Sequence, residues 1–76
     1  MIQTVYKSST FTVVSRIEDN IVCEYLVISH TTNIQRYFYN FRYLSEYLQK
    51  HDKGYSLIYF DNSFMFNYIF YNYTSK

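Results

Sequence analysis

At 76 residues the chain is read as one domain, residues 1–76, with no room for a second core. A net charge of +1 lacks both the acid excess of a DNA mimic and the basic stripe of a duplex-binding protein. One cysteine and two separated histidines rule out a disulfide framework and offer no ligand pair at zinc spacing, and a single glycine leaves no glycine-rich phosphate loop.

Residues 2–7 alternate, and residues 10–17 are rich in β-branched and aromatic types. Both predict strands, with Ser8 and Ser9 in a short turn between them. Glu18, Asp19 and Asn20 form a polar turn. Residues 21–29 are apolar on both faces except at Glu24, the pattern of a central strand. Thr32 and Gln35 stand at capping-box spacing and predict the start of a helix that runs to about residue 51. Its apolar face is Ile34, Tyr37, Phe38, Phe41, Leu44 and Leu48. Lys50 and His51 lie where cations meet the negative end of the dipole, and Gly54 stands at the left-handed cap position. Residues 55–61 and 64–73 predict two further strands around an Asn62–Ser63 turn.

The expected class is therefore α+β, ordered βββαββ: a five-stranded antiparallel meander sheet with one helix packed on a face. One helix covers one face only. The last strand carries apolar residues on both sides, with Met65, Ile69, Tyr71 and Tyr73 on the second. Exposed patches of that kind mark association, so these four are read as a self-association face and the chain as a homodimer.

No reaction centre is expected, and no cofactor or metal. His30 reads as a turn residue and His51 as a helix-end residue. Cys23 paired with His30 would be badly aimed, because odd and even strand positions face opposite ways. Glu24 has two readings: it is solvated or paired with Arg16 or Lys7 on an open face, or it is a charged hot spot inside a contact.

Tyr39, Tyr43 and Tyr47 fall on the far side of the predicted helix, with Arg36, Glu46 and Lys50 among them. Tyrosine and arginine dominate binding hot spots, so these six are the expected partner-binding residues, and replacing the three tyrosines by serine should leave the fold nearly intact. Phe, Tyr, Met, Ile, Asn and Lys, all with AT-rich codons, fill 37 of 76 positions. A very short, aromatic-rich chain of this composition suggests a phage or mobile-element accessory protein. The expected function is steric inhibition of a host enzyme or defence complex. The alternatives are a single-stranded nucleic-acid module with a tyrosine stacking platform, and a structural subunit completing a larger complex. No segment of about 18 apolar residues would cross a membrane, and no leader is evident, so the expected location is the host cytoplasm.

Overall fold

A computed structural model describes residues 1–61. Strands β1 (Ile2–Lys7), β2 (Phe11–Glu18), β3 (Ile21–Ser29) and β4 (Gln35–Phe38) form an antiparallel meander in the order β1-β2-β3-β4. Helix α1 (Phe41–His51) follows, and a 3-10 turn spans Leu57–Tyr59. The class is α+β.

Strict alternation sorts the faces of β2. Phe11, Val13, Ser15 and Ile17 are buried, while Thr12, Val14 and Arg16 are partly open. Tyr25 and Val27 of β3 lie on the same core side. Phe41, Leu44 and Leu48 of α1, spaced to share one helical face, close the core over them. Asp19 and Asn20 both have positive φ, 53° and 63°, as a two-residue hairpin turn between β2 and β3 requires. Short polar side chains tolerate that conformation best after glycine.

A bulge interrupts the pairing of β1. Thr4 pairs with Val14, but Tyr6 pairs with Val13, so Val5 is an extra residue. Without it Tyr6 would share the open face with Thr4. With it, both Val5 and Tyr6 are buried. A second register shift opposite Arg16 and Ile17 leaves Cys23 as the extra residue of β3.

The buried Tyr6 hydroxyl donates to Asp52 Oδ2 at 2.6 Å, and Ser8 Oγ donates to the same oxygen at 2.6 Å. The Gly54 amide donates to Asp52 Oδ1 at 3.1 Å. Asp52 is 1% exposed and caps the C-terminus of α1, its own amide donating to Leu48 O. One carboxylate thus ties the end of the helix to β1 and to the β1–β2 turn. Burial pushes the Asp52 carboxyl up, but the donors from Ser8, Tyr6 and Gly54 together outweigh it and hold it below the ordinary 3.8. Burial and the facing carboxylate push the Tyr6 phenol well above its usual range.

The first three strands lie where their patterns put them, within a residue. The helix does not. Residues 34–40 are outside it: Thr32 Oγ1 accepts from the Ile34 amide in a loop, and Asn40 is the N-cap, accepting from the amides of Arg42 (2.7 Å) and Tyr43 (3.4 Å). The hairpin to β4 is favoured because β3 then has a partner on each edge, and Ser29 Oγ steadies the loop by accepting from Thr31 and Thr32. Ile34 and Tyr37, assigned to the apolar helix face, are more than half exposed.

Residues 55–61 do not form a strand either. Ser56 Oγ caps the 3-10 turn through the Ile58 amide, and only Phe60 bridges to the sheet, opposite Tyr6. Gly54 is not left-handed, since no glycine has positive φ; the helix ends instead on extended Asp52. The sheet has four strands among the described residues. The predicted strand over 64–73, with Met65, Ile69, Tyr71 and Tyr73, lies outside them.

Candidate functional site

The six residues of the expected surface reach the structure by different routes. Arg36 is on β4, opposite Val27, so it projects on the same side of the sheet as α1. Phe38 shares that side. The Arg36 guanidinium lies 5.7 Å from the Phe38 ring centre and 5.2 Å from that of Tyr47. Such contacts are worth about 0.5–1 kcal/mol at exposed sites.

Tyr47 is half-buried rather than free. Its ring meets Phe38 at 5.2 Å, Phe11 at 6.1 Å and His51 at 4.4 Å. It roofs the edge of the core, so removing it together with Tyr39 and Tyr43 would not leave the fold untouched. Tyr43, in the first turn of α1, is 62% exposed and one turn from Tyr47. Tyr39 is 72% exposed but stands before the Asn40 cap, outside the helix, so the helical stripe of three tyrosines is reduced to two. Glu46 is exposed and lies 3.7 Å from Arg42, an i,i+4 pair of the kind that contributes little. Lys50 is exposed in the last turn.

The structure therefore brings Arg36 and Tyr47 into contact, sets Tyr43 and Lys50 one turn away along α1, and does not place Tyr39 with them. It adds two residues that the helical wheel missed. Phe38 supports Arg36, and His51 stacks on Tyr47. Alternation through Tyr37, Phe38 and Tyr39, three residues of high strand propensity just before an Asn cap, was the signal available for Phe38.

The opposite face of the sheet is uncovered by α1. Ile2, Val14, Arg16, Glu24, Leu26 and Tyr37 surround a shallow hollow of about 130 Å³ there. Glu24 is paired, its Oε2 3.4 Å from Arg16 Nε, while Arg16 also reaches Glu18 at 3.3 Å. Arg16 is one of the two partners expected for it. Around that hollow the face is apolar with a central pair of opposite charges.

His30 Nδ1 is 3.0 Å from Ser9 O and its Nε2 is 2.6 Å from Thr12 Oγ1. The tautomer carrying its proton on Nδ1 donates to the carbonyl and accepts from the threonine, which staples the β3–β4 loop to the β1–β2 turn. Cys23 and His30 are seven residues apart along nearly one strand, about 20 Å, too far for a nucleophile and its base. Tyr6, Ser8 and Asp52 are buried. Among the described residues no three His, Cys, Asp or Glu side chains gather as a metal site would need, and no helix is long and apolar enough to cross a membrane.

Compared with protein-family models, curated proteins and solved structures, the chain matches none of them.

Proposed function

We propose that the protein acts by binding: it inhibits a host enzyme or defence complex by covering part of its surface, as an accessory protein of a phage or mobile element in the host cytoplasm. The observation that carries this reading is the aromatic surface around α1. Tyr43 is more than half exposed beside a half-buried Tyr47 that already holds Arg36 in place. Exposed tyrosine next to an anchored arginine is the composition of an interface hot spot. Occlusion needs no reacting groups, only an interface of about 800 Å² per partner. The small net charge and Glu46 on the same helix weigh against a nucleic-acid platform, which leans on phosphate neutralisation.

The test is capture from host lysate. Tyr43→Ser is expected to lose the captured partner by about tenfold or more while its unfolding free energy stays within about 0.5 kcal/mol of wild type. Undiminished capture by the variant would sink the assignment of this surface.

The sheet face opposite α1 is assigned to a second copy of the chain. Arg16 and Glu24 give it both signs of charge, so a twofold axis can set each against its opposite across the contact. Sedimentation at micromolar concentration is expected to show a dimer, and Leu26→Lys, which buries a charge in such a contact, to return it to a 9.4 kDa monomer. A wild-type protein that sediments as a monomer removes the dimer.

A further inference from the structure

The chain has three arginines. Two have acids beside them: Arg16 has Glu18 and Glu24, and Arg42 has Glu46. Arg36 is different. Among the described residues its side chain makes no ion pair and no hydrogen bond, although the residue is exposed. Its contacts are aromatic: the rings of Phe38 and Tyr47, themselves 5.2 Å apart, both lie under its guanidinium.

Stacking uses the flat faces of a guanidinium. Its N–H donors radiate from the edge, and no hydrogen bond among the described residues takes those of Arg36. Two parallel donors match the two oxygens of a carboxylate. Because the rings already hold the side chain, less freedom is lost when a partner arrives. Lys50, exposed and without an ion pair among the described residues, adds a second cation on α1, while Glu46, the one acid of that helix, is beside Arg42.

We propose that Arg36 is a carboxylate receptor, so that the protein bound by this surface presents an acidic patch with an Asp or Glu side chain gripped by the Arg36 fork. This deepens the protein-binding reading and rests on it. A phosphate could also fill the fork. A chain with a net charge of +1 and a glutamate on the same surface suits a protein carboxylate better than a polyphosphate strand.

The experiment tracks the Arg36 Nε–Hε signal in isotope-labelled protein titrated with two probes, acetyl-octaglutamate amide and single-stranded octathymidylate. The signal is expected to move with octaglutamate. Arg36→Lys keeps the charge but loses the fork, and is expected to bind that peptide about tenfold more weakly. An unmoved signal, equal binding by Arg36→Lys, or tighter binding of the oligonucleotide overturns the proposal. Unchanged thermal unfolding of the variant shows that the fold is intact. Lysate capture separates the two readings. If Arg36→Lys keeps a partner that Tyr43→Ser loses, the carboxylate grip is wrong and protein binding stands. If wild type captures nothing, protein binding falls and takes the grip with it.

Discussion

Asp52→Ala is expected to lower the unfolding free energy by about 3 kcal/mol, because it leaves the buried hydroxyls of Tyr6 and Ser8 without their acceptor. In a domain of this size that is roughly 15 °C in melting temperature. Asp52→Asn should be milder, about 1 kcal/mol, since an amide oxygen still accepts and the two hydroxyls can rotate. The two variants differ from wild type in a pH-dependent way. The carboxyl lies below its ordinary value in the folded protein, so folding favours the ionised form. Its contribution is complete above the unfolded value near pH 4 and disappears as pH falls through the lower, folded value. The gap between wild type and Asp52→Asn should therefore narrow as acid is added below about pH 4. Denaturant unfolding across that range measures it. A gap that widens with acid would show that the ionised form is not what the three donors hold.

Tyr47→Ala is expected to cost about 2 kcal/mol, against roughly zero for Tyr43→Ala on the same helix. The difference comes from what each ring touches. Tyr47 packs on Phe38, Phe11 and His51, whereas Tyr43 is mostly in solvent. Tyr47→Phe keeps the ring and should unfold like wild type. Should Tyr47→Ala prove as stable as Tyr43→Ala, the roof over Phe11 is not part of the core. The pair also guards the binding assay, because a lost interaction in Tyr43→Ser cannot be blamed on unfolding.

Strand periodicity was legible where each strand had a polar turn on either side. Ser8–Ser9 and Asp19–Asn20 punctuate β1, β2 and β3, and the apolar run from Ile21 marks the inner strand. The helix start was misread because Ile34, Tyr37, Phe38 and Phe41 happen to recur at helical spacing. That spacing competes with tertiary pairing, and here the edge of β3 claims Gln35–Phe38. Asn40 was the truer cap, since its side chain accepts two helical amides without any glutamine or glutamate in return. The bulge shows in residues 2–7 only as the adjacent apolar pair Val5 and Tyr6, which does not say that both are buried, and so the bond of Tyr6 to Asp52 was not legible. The candidate surface kept Arg36, Tyr43 and Tyr47 for a reason the wheel did not contain: β4 lies beside α1 and points Arg36 at it. Leu57, Ile58 and Tyr59 read as a strand because they are apolar, yet all three are exposed in the 3-10 turn.

Asp52 meets Tyr6 and Ser8 across 46 and 44 residues of chain, while each hairpin closes over a handful. Closing the long loop costs entropy that the hairpins do not spend, so the meander is expected to assemble ahead of the carboxylate contact. Contacts made after the folding barrier leave the folding rate alone and slow the reverse step. Asp52→Asn is therefore expected to speed unfolding and to leave the folding rate nearly unchanged, which stopped-flow kinetics would read.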